Sequence, residues 1–362
     1  MLGPSAKSSI EKLESYKPNF GNGKVKSLIR LSANEGALGT SSNAIKAINS
    51  FSTDLNRYPP QTSENLVDAI SKRYSVDRNK IILGNGSDEL ISILAQAFLS
   101  SEDEAIYTEY GFLQFPQAIS ITGAKGVIAK DNKLTVSVDN ILSNITKKTK
   151  LIFLANANNP TGTFISKDEV IRLHKSIPLN VLLVYDAAYS EFITHDDYID
   201  GSELVDNSEN VIMLRTFSKL HGLASLRLGW GYCSNYILNN LMKVRGPFSV
   251  NLAAILAGTA AINDIKFQKK SIDHNIKWMN WLEKELKKLN LSFQTSVTNF
   301  LLIKFSNETQ FNAQSAEKFL ASRGILVRGM SVYNLPSYLR VSLGTGEENM
   351  TLVKELKSFL EN

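Results

Sequence analysis

The sequence predicts an α/β protein with a mainly parallel sheet, followed by a smaller α+β unit. Three observations predict it. From about residue 80 to 233, short apolar runs alternate with helix-length segments, the order that parallel strands and crossover helices require. Two of the runs, 181–185 and 211–214, are apolar throughout, as strands buried on both faces should be. After about residue 290 the texture changes, and strands and helices no longer follow that regular alternation.

Bulk properties narrow the function classes. A chain of 362 residues suits two domains or one large α/β unit, and 43% hydrophobic residues can build a sizeable core. No apolar run approaches the roughly 18 residues of a membrane span, and the first residues lack the hydrophobic segment of an export signal. One cysteine, Cys233, permits no internal disulfide; with four scattered histidines, no metal site is expected. The net charge of +5 is mild, and its lysines are spread over helices, which favours solubility over nucleic-acid binding. A cytoplasmic enzyme or binding protein is expected, with no membrane or nucleic-acid partner.

Taken in order, the chain opens with a short helix near 9–13, glycine and proline breaks, and a strand within 25–32. This segment is either a tail or an arm over a site or a partner subunit, with Tyr16 its residue of interest. Helices follow at 42–50 and 63–74, separated by Arg57-Tyr58-Pro59-Pro60, where each proline keeps its predecessor extended. A strand at 80–83 runs into Gly84-Asn85-Gly86-Ser87-Asp88-Glu89 and a helix over 90–99. Strands at 104–108 and 124–129 bracket a helix near Phe115. A helix over 137–145 precedes a strand at 150–155. Ser166 and Glu169 form a capping-box pattern at the next helix. Strands at 180–185, 210–216 and 228–233 complete the first unit. A long helical region, 251–290, is interrupted or bent, and Trp278 and Trp281 on it are expected between domains. The second unit has strands at 299–305, 325–328 and 338–343, and helices at 313–323 and 347–360.

Candidate functional residues fall at the ends of these strands. The glycine turn at 84–89 opens a helix, so its amides and the helix dipole favour an anion; a plain tight turn is the alternative. It lacks the third glycine of a dinucleotide fingerprint and the lysine of a P-loop. Tyr110 could stack on a flat ring or belong to the core. Asp186 ends an apolar strand, where an acid needs a partner unless it caps a helix. Lys219 follows another buried strand, where desolvation lowers an amine's pKa and favours nucleophilic chemistry; a surface lysine is the alternative. Thr216, Ser218 and Arg227 flank it.

In this order the residues resemble the fold-type I pyridoxal-phosphate enzymes, specifically the aminotransferases, through Asn159-Pro160-Thr161-Gly162, Asp186-Ala187-Ala188-Tyr189 and Ser218-Lys219 with Arg227 and Gly229. Within them the chain is most similar to the histidinol-phosphate aminotransferase family. LSANEGAL at 31–38, Arg57-Tyr58-Pro59, GNGSDE at 84–89 and Leu339-Arg340-Val341 extend that likeness from about residue 13 to the end. The resemblance implies a large domain at 34–255 with a mainly parallel seven-stranded sheet. It also implies a small α+β domain from 1–33 and 256–362, with an N-terminal lid or arm.

The same resemblance implies roles. Lys219 would carry pyridoxal 5′-phosphate covalently and then act as the proton-moving base. Asp186 would pair with the pyridine nitrogen. Asn159 and Tyr189 would bond the ring oxygen, and Tyr110 would stack on the ring. Ser87, Asp88, Thr216, Ser218 and Arg227 would hold the phosphate, joined by Tyr58 of a partner subunit, which implies a homodimer with shared active sites. Arg340 would meet the substrate carboxylate, a contact suited to a bidentate guanidinium. Arg328 would be the second anion-binding arginine, Tyr16 a lid tyrosine, and Asn34 a further substrate contact.

The expected reaction is amino transfer between L-histidinol phosphate and 2-oxoglutarate, giving imidazole-acetol phosphate and L-glutamate, in histidine biosynthesis. An aromatic amino-acid aminotransferase, an amino-acid-phosphate decarboxylase and a non-catalytic ligand-binding protein are the alternatives. Gly36-Ala37, Ala157, Ala187 and His221 depart from the usual family pattern, and none of them removes a group the chemistry needs.

Overall fold

In the computed structural model, residues 3–13, 15, 28–50, 56–60, 62–306 and 310–361 are described. The strands in chain order begin with β1 (Ile29–Arg30), β2 (Ile81–Gly84), β3 (Glu104–Thr108) and β4 (Lys125–Ala129). They continue with β5 (Thr149–Ala155), β6 (Leu182–Asp186), β7 (Val211–Thr216) and β8 (Gly229–Cys233). Seven of them form one sheet in the order β2-β8-β7-β6-β5-β3-β4. Neighbours run parallel except β8, which is antiparallel to both β7 and β2. The α/β class and the mainly parallel seven-stranded sheet are as the sequence and its resemblance led one to expect.

The apolar runs are buried on both faces because alternate side chains enter two different cores. On β7, Val211 and Met213 join one cluster, and Ile212 and Leu214 the other. On β6, Leu183 and Tyr185 face the first, Leu182 and Val184 the second. The first core is covered by the helices Glu64–Tyr74 and Leu252–Asn263, the second by Ser87–Phe98 and Gln114–Thr122.

The smaller unit adds β9 (Ser292–Gln294), β10 (Phe300–Lys304), β11 (Ile325–Leu326), β12 (Arg328–Gly329) and β13 (Tyr338–Ser342). Four strands make an antiparallel sheet in the order β12-β13-β10-β9. The single strand expected at 325–328 is divided. β11 pairs in parallel with β1, whereas β12 pairs with β13, so Val327 lies between segments that belong to different sheets. The long helical region is two helices, Leu252–Asn263 and Ile265–Lys288, that meet at Asp264, whose side chain accepts the Phe267 N–H. Trp278 and Trp281 pack on the core of the smaller unit, in edge contact at 5.2 Å, rather than between the units. Ser166 caps its helix by accepting the Glu169 N–H at 3.2 Å, but the Glu169 carboxylate pairs with Arg172.

The segment after β1 joins the two units. Leu31 O accepts from Ser342 N–H at 2.9 Å, and Ser32 O accepts from Arg340 Nη2 at 2.7 Å. Thr40 Oγ1 then donates to Gly222 O at 2.7 Å. Gly222 has φ +65, and a Cβ there would stand 2.0 Å from Gly39 O, so the 36–40 turn lies directly on the turn that carries Lys219. A Cβ at Gly36 would likewise meet Lys219 O at 3.0 Å, which gives its departure from the family pattern a steric reason.

Candidate active site

Parallel strands present their carboxyl ends at one edge, and a ligand site forms there. β2, β5, β6 and β7 all deliver residues to that edge. The reversed strand β8 delivers its beginning to the same place, because Gly229 registers with both Gly84 and Thr216. The result is a cavity of ≈ 510 Å³ lined by Asn34, Ser87, Asp88, Asn159, Asp186, Tyr189, Thr216, Ser218, Lys219, Arg227, Arg328 and Arg340, among others. Twelve of the residues singled out in the sequence are thus brought together from both units.

Three others remain. Tyr16 lies outside the described residues. Tyr58 is 81% exposed and stacks on Phe248 at 4.6 Å, and it is not among the residues that line this chain's own cavity. Tyr110 ends its strand as expected, but its ring packs on the Leu302, Met330, Tyr333 and Leu335 cluster. Phe112 and Leu113 supply apolar wall instead. Sequence reasoning also missed Gln114, Gln117 and Tyr333, which line the cavity. The helical offset of Gln114 and Gln117, three apart on one face, was the available signal.

Lys219 is half-buried, and its Nζ donates to Ala33 O at 3.1 Å. Burial, aided by Arg340 and Arg227, pushes its amine down to about 8. Asp186 is buried, and its Oδ1 accepts the Ala188 N–H at 3.1 Å. Burial pushes its carboxyl up to about 7, with Asp88 adding to the rise. A carboxylate in that setting gains from a cationic partner. Asn159 Oδ1 accepts from Arg340 Nη1 at 2.6 Å, which leaves its amide nitrogen to donate. Tyr189 lies within 5.8 Å of Lys219 Nζ, measured to the ring centroid. His221 is buried against Phe217, and burial pushes it down to about 4, so it is neutral packing.

The turn at 84–89 is an anion cradle. The helix Ser87–Phe98 starts after Gly86 at φ +84 and has no side-chain cap, and its first residues, Ser87 and Asp88, line the cavity, so its uncapped amides are available to an anion there. A Cβ on Gly86 would fall 2.6 Å from Arg227 Nη2, and one on Gly229 would fall 2.3 Å from Ser87 N. Both glycines therefore let the backbone and the guanidinium close on the same point. Arg227 Nη1 reaches Ser218 Oγ at 3.4 Å and Ala224 O at 2.9 Å, and Nη2 pairs with Asp88 Oδ2 at 2.8 Å. A carboxylate repels a phosphate, so Asp88 can serve that group by its N–H and by orienting Arg227.

The donor set suits a ligand with a phosphate at one end, a protonated ring nitrogen at the other, and a carbonyl carbon within reach of an amine. Residues 26–356 match the model of the family described as aminotransferase class I and II. The chain belongs to the class I and II aminotransferase family. A histidinol-phosphate aminotransferase from Paramagnetospirillum magneticum (strain ATCC 700264 / AMB-1) is 44% identical over 333 residues, covering 92% of each chain. One from Rhodopseudomonas palustris (strain BisB5) is 44% identical over 92% of this chain and 91% of its own. The crystal structure of histidinol-phosphate aminotransferase from Sinorhizobium meliloti in complex with pyridoxal-5′-phosphate shares the fold. Its TM-score is 0.92 at 22% identity, over 99% of this chain and 98% of that one. In this aminotransferase, Lys219, Asp186 and the cradle are the groups that fit such a cofactor. No described helix is long and apolar enough to cross a membrane.

Proposed function

We propose that this aminotransferase binds pyridoxal 5′-phosphate and moves the amino group between L-histidinol phosphate and 2-oxoglutarate, giving imidazole-acetol phosphate and L-glutamate, as a step of histidine biosynthesis. The observation that carries the reading is Lys219: an amine pushed down to about 8, in one cavity with a buried carboxylate and three arginines. The 44% identity to relatives bearing the histidinol-phosphate name supports the substrate.

When bound, pyridoxal phosphate supplies an electron sink for the charge that develops at the substrate Cα. Lys219 would hold it covalently, and the free amine would move a proton at that carbon. Asp186 holds the proton on the pyridine nitrogen. Asn159 and Tyr189 donate to the ring oxygen. Arg227, Ser218, Thr216 and the amides of Ser87 and Asp88 hold the phosphate, with Tyr58 of a partner subunit completing that cradle in a homodimer. Tyr110, just past the end of β3, would stack on the ring. Arg340 and Arg328 serve the anionic groups of the two substrates, a carboxylate and a phosphate, and bidentate guanidinium geometry suits both. Asn34 borders the substrate, and Tyr16 closes over it. The large domain spans 34–255, the small domain 1–33 and 256–362, and the protein works in the cytoplasm.

An amino-donor panel with 2-oxoglutarate, followed by glutamate formation, tests the reading. Histidinol phosphate should be turned over fastest. Turnover of phenylalanine and tyrosine with none of histidinol phosphate would make the chain an aromatic aminotransferase, and carbon dioxide release without glutamate would make it a decarboxylase.

A further inference from the structure

Tyr189 is buried, and burial pushes its phenol well above the ordinary range, so it keeps its proton. Its Oη accepts a hydrogen bond from Asn34 Nδ2 at 3.0 Å. A phenol that accepts from one side has its own O–H to give in another direction, and Tyr189 lines the cavity. The orientation of the Asn34 amide therefore decides where the Tyr189 proton points. Were that amide reversed, its oxygen would take the proton instead.

Ser342 sets the orientation. The Asn34 backbone N–H donates to Ser342 Oγ at 2.8 Å, and the Ser342 hydroxyl donates to Asn34 Oδ1 at 3.1 Å. The oxygen end of the amide is thereby assigned to Ser342 and the nitrogen end to Tyr189. Asn299 Nδ2 fixes the same corner by donating to Asn34 O and Glu35 O, each at 3.1 Å. Asn34 and Ser342 are 1% and 2% exposed, so water does not compete for these bonds. Ser342 is two residues beyond Arg340 on β13, which puts both on one face of that strand.

We propose that Asn34 and Ser342 are positioning residues that aim the Tyr189 hydroxyl into the cavity as a donor to the cofactor ring oxygen. The inference rests on the reading of Tyr189 given under the proposed function, and it changes the part of Asn34 from a substrate contact to a support for Tyr189. The strand that carries a substrate arginine thus also sets a proton direction at the ring. A donor on the ring oxygen stabilises its negative charge and lowers the pKa of the link between Lys219 and the cofactor. Losing the donor raises it.

The test is a spectrophotometric pH titration of the cofactor-loaded enzyme, read at the midpoint of its absorbance change. The variants are Y189F, S342A, S342T and the double variant S342A/Y189F. Asp186, Asp88, Glu35, Arg227, Arg340 and Tyr333 are the titratable groups facing Tyr189 and Lys219, and no variant alters one of them. Y189F should raise the midpoint by about one pH unit, the scale of one hydrogen bond to a charged group. S342A should raise it by about half as much in the wild-type background and not at all beside Y189F. S342T, which keeps the hydroxyl, should titrate like the wild type. Should S342A not fold, S342V replaces it, because it has the shape of S342T without the hydroxyl. A Y189F shift with S342A at the wild-type midpoint overturns the proposal, as does an S342A shift of equal size beside Y189F. An unshifted Y189F overturns the reading of Tyr189 and this proposal with it.

Discussion

Two buried charge clusters sit on neighbouring parts of the same strand and loop, and they differ in how their charges are matched. On one face of β7, Arg215 is 4% exposed in its side chain, with Nη1 3.2 Å from Glu191 Oε1 and Nη2 bonded to Asp200. Its guanidinium lies 4.4 Å from the Tyr74 ring centroid, and Tyr74 Oη donates to Glu191 at 3.1 Å. Burial alone disfavours that charge, but Glu191, Tyr74 and Asp200 outweigh it and hold the arginine firmly protonated. Lys219, four residues further along the chain, and Asp186, at the end of β6, are pushed the opposite way, the amine down to about 8 and the carboxyl up to about 7. Both shifts disfavour the charged forms. Closed charge networks hold a fold in place, and buried charges left for a ligand to complete mark a site.

The predictions separate the two clusters. The largest effect belongs to Lys219. K219A should lower turnover by about 10⁴-fold, the loss of both a covalent anchor and a general base, while its thermal midpoint without cofactor does not fall and at neutral pH rises, because the desolvated amine is gone. R215M should do the reverse. It leaves Glu191, whose side chain is 9% exposed, and the partly buried Asp200 without their cation and should cost about 3 kcal/mol in denaturant unfolding, with cofactor absorbance retained in the folded fraction.

Asp186 makes the contrast dependent on pH. Its folded pKa of about 7 lies above the ordinary 3.8, so between those values the native state holds a proton that the unfolded chain has lost. Stability of the cofactor-free protein is therefore highest in this respect at low pH, falls as pH rises from about 4 to 7, and then levels. D186N should flatten that slope in a pH series of unfolding curves. Lys219 acts in a different window. Its folded value of about 8 lies below 10.5, so the unfolded chain holds the extra proton between them, and stability rises with pH across that range. Amine-labelling rates at Lys219 in the cofactor-free protein should titrate with a midpoint near 8.

The smallest effect concerns the cradle. G86A places a methyl 2.6 Å from Arg227 Nη2 at φ +84. It should weaken cofactor affinity by roughly tenfold, the scale of about 1.4 kcal/mol, which equilibrium titration can measure. R215M should leave that affinity unchanged.

The paired cluster was the less legible of the two in the sequence. Lys219, Asp186 and the glycine turn stand at the ends of apolar runs, and a parallel sheet brings such ends together without further information. Arg215 also follows an apolar run directly, but its partners come from loops at 191 and 200, so nothing local marks the pairing. Distance along the chain hid other features. Ser342 meets Asn34 across 308 residues, and Arg340 meets Asn159 across 181. The separation at Val327 and the reversal of β8 depend on which strands pair, and a short apolar run reads the same in either direction. Tyr110 shows the limit for a single ring: its place just past a strand end was legible, but its packing against the Leu302, Met330, Tyr333 and Leu335 cluster was not.

The central claim is that Lys219, with Asp186, performs amino transfer on histidinol phosphate. Its most direct test is the half-reaction. L-histidinol phosphate is added to the cofactor-loaded protein without a keto acid, the cofactor absorbance is followed, and 2-oxoglutarate is then added. The account predicts a stoichiometric absorbance change with histidinol phosphate, its reversal by 2-oxoglutarate, and neither at a comparable rate in K219A. A K219A protein that completes both halves as fast as the wild type would contradict it.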